Sequence, residues 1–336
     1  MQTLLKLPLL VFVLSPSLGW WLGLPALGLL LGAVLIPACE WLLGRPGHGP
    51  LGRWASQPRP QSFGPHWPRL VALLVLLQSL ALTLLASGDA PWNQTVWLGL
   101  SLGFVAGGTG IVLGHELGHR RSLLDRRLSL ALLTLVGYGH YQLEHNRGHH
   151  RSAATFQDPA TARLHESLPR FLLRYFPGIW RGACALDRQG RQGSAGLGLP
   201  QRLLLLFAGY ALLASALAGP QALALIALQA LVAQFLVGTI DYVEHWGLRR
   251  AMVDGRPQRF GPEHVWDCAN RVSDLLLFNL PRHAHHHLHP SDTADRLLRV
   301  QQAPQMPTGY AGMVLLASLP PLYRRVMRRR LPPPAR

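Results

Sequence analysis

The sequence predicts an all-α integral membrane protein with six transmembrane helices and a histidine-rich site for two metals on its cytoplasmic face. Three observations carry this. Long apolar blocks with almost no charge recur along the 336 residues. Arginines gather in the segments at one end of those blocks. Ten of the sixteen histidines fall in four clusters, nine of them poised as ligands, all at the arginine-rich ends.

A span needs about 20 apolar residues to cross a hydrocarbon core of about 30 Å. Stretches at roughly 7–22, 25–44, 70–88, 95–114, 201–219 and 221–240 approach that length. The first has no convincing small-residue cleavage site and runs straight into the second, so it reads as a span, not a cleaved leader. The whole-chain figures are ordinary, 49% hydrophobic with a mean hydropathy of +0.17. The signal lies in how the apolar residues cluster.

Orientation follows from the basic residues. The connections near 22–25, 88–94 and 219–220 hold no Lys or Arg, and the second carries Asp89. Segments 45–69, 120–127, 147–202, 249–259 and the tail after Tyr323 are rich in arginine. The positive-inside rule places both termini and these segments in the cytoplasm, which in a bacterium makes the membrane the inner one. A net charge of +16 also raises nucleic-acid binding. Arginines beside membrane spans are explained by lipid headgroups, and no nucleic-acid module is present, so that class is set aside. Cys39, Cys184 and Cys268 are isolated, which excludes a thiolate iron centre and a disulfide framework.

Between the spans, 45–67 reads as a loop, with Gly, Pro and Arg and little periodicity. The fourth span runs through Ile111-Val112-Leu113-Gly114 directly into His115. Residues 128–138 are apolar but too short to span, and either pack against the site or re-enter the membrane edge. Region 151–200 is polar, glycine-rich toward its end (Gly190, Gly193, Gly196, Gly198), and caps the site. No repeat appears, and 1–336 reads as a single domain. Its end, apolar over Met313–Tyr323 and basic over about 324–336, suits either a surface anchor or a disordered basic tail.

His115-Glu116-Leu117-Gly118-His119 matches the zincin signature, in which the glutamate is the base. A zinc protease would leave the other clusters unexplained, so Glu116 reads as a group that orients an imidazole or is satisfied elsewhere. In Glu144-His145-Asn146-Arg147-Gly148-His149-His150, His145 and His149 share a helical face, while His150 extends toward a second ion. Glu144 and Asn146 are placed to bond distal ring nitrogens, and Asp158 is either an outer carboxylate or a plain turn residue before proline. His245 follows Asp241 and Glu244 at the end of the sixth span, where acids are costly and usually functional. His283, His286 and His287 keep the i, i+3, i+4 spacing of one helix face, with His285 either pointing away, where it joins the candidates that support a ligand ring from behind, or serving as a replacement ligand. His48, His66, His140, His165, His264 and His289 read as non-ligands; His140, His264 and Asp267 join the candidates for supporting the imidazoles from behind. Nine poised imidazoles are too many for one zinc and suit two metals. A nitrogen-rich set without thiolates points to iron and to redox chemistry.

The segments HELGHRR (115–121), EHNRGHH followed by RSAATFQDPATAR (144–163), DYVEHWGL (241–248) and RHAHHHLHP (282–290) resemble the membrane-bound alkane 1-monooxygenases, within the integral-membrane desaturase and hydroxylase superfamily. The resemblance covers roughly 30–325 and extends to Leu35-Ile36-Pro37, Gly137-Tyr138-Gly139-His140 and Pro307-Thr308-Gly309-Tyr310. It implies six membrane helices, two iron ions cycling between Fe2+ and Fe3+, O2 as co-substrate and terminal hydroxylation of alkyl chains. The implied ligands are His115, His119, His145, His149, His150, His245, His283, His286 and His287. Three departures leave that set intact and bear on the substrate: His285 for an acid, Trp246 for tyrosine, and Ala269-Asn270 for an Asn-His pair. No rubredoxin-like cysteine set or dinucleotide fingerprint is present. Electrons are therefore expected from a rubredoxin-type carrier and its NAD(P)H-dependent reductase, with an apolar substrate arriving from the membrane lipid. Gly103, Gly107, Gly108 and Gly110 of the fourth span either leave room for that substrate or pack helices closely. Hydroxylation of an aryl methyl or a terpene, and desaturation of a lipid acyl chain, are the alternatives.

Overall fold

The computed structural model describes residues 6–43, 60–86, 90–191, 196–268 and 270–332. Most of the loop expected at 45–67, with His48, and also Asp89, Gly193, Ala269 and the last tail residues, lie outside the described residues. Of the described residues, 69% are helical.

Among the described residues, four helices are long and apolar enough to cross a membrane: α3 (His66–Leu85), α4 (Trp92–Gly118), α8 (Leu199–Ala218) and α9 (Pro220–His245). They match the third to sixth expected spans. The first two expected spans are shorter helices, α1 (Leu7–Trp21) and α2 (Leu27–Leu43), of 15 and 17 residues. Large side chains such as Leu77, Leu85, Leu205, Leu206, Leu213 and Leu231 stay exposed on these helices. In water that surface would be a liability; against lipid it is the expected exterior.

Helices α4 and α9 form the central pair, and glycine explains why they approach so closely. A Cβ on Gly103 would stand 2.5 Å from Val232 Cβ, and one on Gly107 would stand 2.8 Å from the Ala233 backbone. Gly110 faces Val75 of α3. Gly103, Gly107 and Gly110 are therefore packing positions; Gly108 alone of the four meets only Phe12, at 3.6 Å, and leaves room.

The apolar run at 128–138 lies on an amphipathic helix, α5 (Leu123–Leu135), packed on the end of α4 by Leu128, Leu132 and Leu133. Ser122 caps it by accepting from the Asp125 amide, and Asp125 in its first turn pairs with Arg69 at 2.6 Å. Helix α6 occupies 141–152, and its middle turn, His145–His149, is a π-helix. Region 151–200, expected as polar covering chain, contains a 24-residue amphipathic helix, α7 (Leu168–Arg191), which buries Phe171, Tyr175, Ile179 and Ala183. Its arginines on the solvent side masked the apolar stripe. A two-residue hairpin pairs β1 (Met252–Val253) with β2 (Arg256–Pro257). Four short helices follow: α10 (Arg271–Leu276), α11 (His283–Leu288), α12 (Tyr310–Ala317) and α13 (Pro320–Arg328). The last buries Tyr323 and Met327, so the start of the basic end is packed helix.

Candidate metal centre

The four clusters come from the ends of α4 and α9 and from α6 and α11, which meet at one place. Five imidazoles (His115, His119, His145, His150, His286) present ring nitrogens within 4.8 Å of one another. Four more (His149, His245, His283, His287) form an adjoining set by the same measure. The nine expected histidines are thus brought together without remainder.

The division between the sets differs from the helical-wheel expectation. His145 and His149 fall in different groups, and His145 meets His150 instead, Nε2 to Nε2 at 3.0 Å. The π turn at 145–149 is the reason. With i→i+5 hydrogen bonds, residues five apart come onto one face, and such single turns concentrate at functional sites. Helix α11 spans both groups: His286 reaches His150 at 3.0 Å, while His287 reaches His283 at 3.0 Å and His149 at 3.3 Å.

Hydrogen bonding among the rings does not account for this arrangement. A neutral imidazole has one N–H and one acceptor nitrogen, so several Nε2 atoms converging on one point cannot all be satisfied mutually. Both ring nitrogens of His115 and of His245 are buried without partners, as are His119 Nε2, His150 Nδ1 and His283 Nδ1. Each unsatisfied buried group costs about 1–3 kcal/mol. Five such rings in one place are sustained if each offers its one free lone pair to something that needs it. Burial holds His119 down to about 4, and burial with repulsion from neighbouring rings holds His145, His286 and His287 well below the ordinary imidazole range. They are neutral at pH 7, the form that ligates metal. The donor set therefore fits metal cations, and its all-nitrogen character fits iron.

The groups expected behind the rings divide sharply. Asp158 accepts from His149 Nδ1 at 3.0 Å and is itself fixed by Thr161 Oγ1 and the Ala160 amide. Burial opposes charge on His149, but the Asp158 carboxylate more than offsets it and raises the ring to about 9. Glu244 Oε2 lies 3.2 Å from His283 Nε2, and its other oxygen accepts from Tyr310 at 2.5 Å. Asp267 acts through backbone, receiving the Ala284 amide at the start of α11.

The remaining candidates make other contacts. Glu116 bonds Arg120 at 2.8 Å and the Ala294 amide at 3.1 Å, which removes it as a protease base and makes it a clamp on the chain after α11. Glu144 is buried beside Gly148 and Gly182, with Oε2 unpartnered, and burial raises it to about 8. Asn146 donates to the Gly118 carbonyl, not to a ring. Asp241 accepts from Tyr175, which in turn receives Tyr138. His140 packs between Tyr138 and Trp180, and His264 bonds Gly261 and Gln258. His285 turns to Asp292 at 3.1 Å and rests beside His289, outside both nitrogen groups.

Two contributors were not legible in the sequence. Phe260 stacks on His287 with ring centroids 4.9 Å apart. The second is an apolar cavity that opens onto the histidines, lined by Phe12, Phe104, Gly108, Ile111, Leu236 and Val314, with His115, Asp241, Glu244 and His283 at its polar end. Along α4 it extends from Phe104 to His115, eleven residues or about 16 Å at 1.5 Å per residue.

The fatty acid desaturase family profile matches residues 91–316. The chain is similar to alkane 1-monooxygenase of Pseudomonas putida, 39% identical over 243 residues, covering 70% of this chain and 60% of that protein. Alkane 1-monooxygenase 1 of Alcanivorax borkumensis is 34% identical over 343 residues, 95% of this chain and 80% of its own. The hydroxylase component of a xylene/toluene monooxygenase from Pseudomonas putida is 27% identical over 233 residues, 67% and 61% of the two chains. Against the alkane 1-monooxygenases of Pseudomonas putida and Ectopseudomonas oleovorans, the chain spans about three fifths of the relative's length.

Proposed function

The chain belongs to the fatty acid desaturase family, alongside the alkane 1-monooxygenases, and on that premise we propose that it hydroxylates an unactivated C–H bond. The substrate is an apolar molecule from the bilayer, read as the terminal methyl of an alkane or alkyl chain. The observation that carries this is the meeting of a nine-imidazole centre with the end of an apolar cavity between membrane helices.

Two irons, one in each histidine group, would supply O2 activation and the oxidising power to break the bond. The protein's own residues do the rest. Asp158 fixes the ring and tautomer of His149, and the Tyr310–Glu244 pair holds a carboxylate beside His283. Phe12, Ile111, Leu236 and Val314 bind the chain by apolar contact and exclude water, which orients one end toward His115 and His283. The balance is RH + O2 + 2 electrons + 2 protons giving ROH + H2O.

In this reading α1 and α2 complete six spans as a hairpin against α3 and α4, within a single domain. Both termini and the metal centre face the cytoplasm in this reading, which the arginine distribution supports. Electrons come from a rubredoxin-type carrier and its reductase, because Cys39, Cys184 and Cys268 are scattered and free.

The purified, iron-loaded chain should be inert with NADH alone and should form alcohol once carrier and reductase are added. Mass spectrometry of products from alkanes, fatty acids, terpenes and xylenes reads this directly. Turnover with NADH and the chain alone would reveal a redox site of its own. A product carrying a new double bond and no oxygen would convert the reading to a desaturase.

A further inference from the structure

Asp241, Tyr175, Tyr138 and His140 bond or pack with one another and leave the holding of the ligand rings to other groups. With Tyr141 and Trp180 they form one continuous path from a ligand ring toward the protein's edge. Tyr141 opens α6 and packs against His145, ring centroids 5.0 Å apart. Tyr138 stacks on Tyr141 at 5.1 Å, with the planes 18° apart. His140 stands edge-on to Tyr138 at 5.0 Å, and edge-on to Trp180 of α7 at the same distance. Tyr138 and Tyr141 are buried, whereas Trp180 is only half-buried.

Packing alone does not call for this chemistry. Phenylalanine would fill the space of Tyr138 and of Tyr175 without burying two hydroxyls, which cost free energy unless they are bonded. Here they are bonded in sequence: Tyr138 donates to Tyr175 at 2.9 Å, and Tyr175 donates to Asp241 at 2.5 Å. Both donors run toward a buried carboxylate. A phenol gives up its proton when it gives up an electron, so this order of donors supplies what oxidation of Tyr138 requires.

We propose that Tyr138 is a redox-active tyrosine, and that the path through Tyr141, Tyr138 and Trp180 discharges the centre when O2 has been activated and no C–H bond is within reach. The proposal rests on the oxygenase reading and adds a protective function to it. Tyr138 gives one electron to the centre across the Tyr141 ring. Its proton moves to Tyr175 while Tyr175 passes its own to Asp241. Trp180 then returns an electron to Tyr138, and the proton comes back along the same bonds. A small soluble one-electron reductant, such as a thiol or ascorbate, refills Trp180. Two such passages, added to the two electrons that activate O2, balance as O2 + 4 electrons + 4 protons giving 2 H2O. Without them the oxidising power is spent on the nearest imidazoles.

The test uses the full-length, iron-loaded protein, reduced anaerobically with dithionite and mixed with O2 in the absence of substrate. Rapid-freeze electron paramagnetic resonance should show a tyrosyl radical, narrowed when the protein is made with ring-deuterated tyrosine. Tyr138→Phe should lose that signal, keep its iron, and hydroxylate saturating substrate at the parent's initial rate. Under idling turnover, with donor and O2 but no substrate, it should inactivate several-fold sooner, with oxidised histidine found by mass spectrometry. Trp180→Phe should prolong the radical, and ascorbate should extend the lifetime of the parent but not of this variant. Tyr210→Phe removes a half-buried phenol that bonds Thr83 on another helix, and should change none of these readings. A radical of equal intensity in Tyr138→Phe would place the oxidised tyrosine elsewhere and overturn the proposal. So would a parent that consumes O2 without forming a tyrosyl radical and idles no longer than Tyr138→Phe. If the reduced parent consumes no O2 at all, the oxygenase reading itself fails.

Discussion

Replacing His286 by alanine should reduce hydroxylation to below about 1% and lower the iron content of the purified protein, and His149→Ala should do the same. The two residues lie in different nitrogen groups. His286 Nε2 stands 3.0 Å from His150, at the meeting point of α6 and α11, so its loss opens the five-histidine group. His149 is the ring that Asp158 orients from behind, and its loss strips the four-histidine group to three. An outer partner alone is typically worth 10- to 100-fold in metal affinity or activity, and a direct ligand is worth more. Metal analysis beside product yield separates loss of iron from misfolding, because a folded variant keeps its helical circular dichroism. Full activity in either variant would refute the assignment of that ring.

Gly108→Leu should leave iron in place and suppress turnover of long alkyl substrates. A Cβ at Gly108 meets only Phe12, at 3.6 Å and 3.7 Å, so the new side chain grows into the cavity without moving a helix. Excluding two or three methylenes of substrate forfeits about 0.8 kcal/mol each, or about 2 kcal/mol, a loss of about 30-fold. Shorter substrates that stop before Gly108 should be spared. The comparison with Gly107→Leu is informative, since that Cβ would strike the Ala233 backbone at 2.8 Å and should destabilise the fold instead. A chain-length profile by gas chromatography checks this. An unchanged profile at full iron loading would remove the cavity from the substrate's path.

Much of this was legible from residue order. Histidines spaced for one helix face, placed where apolar blocks end, identify the centre because metal binding demands many lone pairs in a small volume. The division of ligands between the groups was not legible, because the π turn at His145–His149 shifts the face and has no simple sequence mark. Supporting groups were harder still. Asp158 and Glu244 reach rings, whereas Glu116, just beside His115, faces Arg120, since adjacent helical positions diverge by about 100°. Tyr310 meets Glu244 across 66 residues of chain, and Phe260 meets His287 from a loop, contacts only tertiary structure can show. Helix α7 was hidden for a different reason: its arginines and glycines outweigh a narrow buried stripe of Phe171, Tyr175 and Ile179.

The account stands most directly on the metal itself. Elemental analysis of the protein purified in detergent from iron-supplied cells, with Mössbauer spectra of the same sample, should give about two irons per chain in nitrogen-rich sites, as the proposal of one iron in each histidine group expects. One zinc per chain, with iron absent and not taken up on reconstitution, would contradict it.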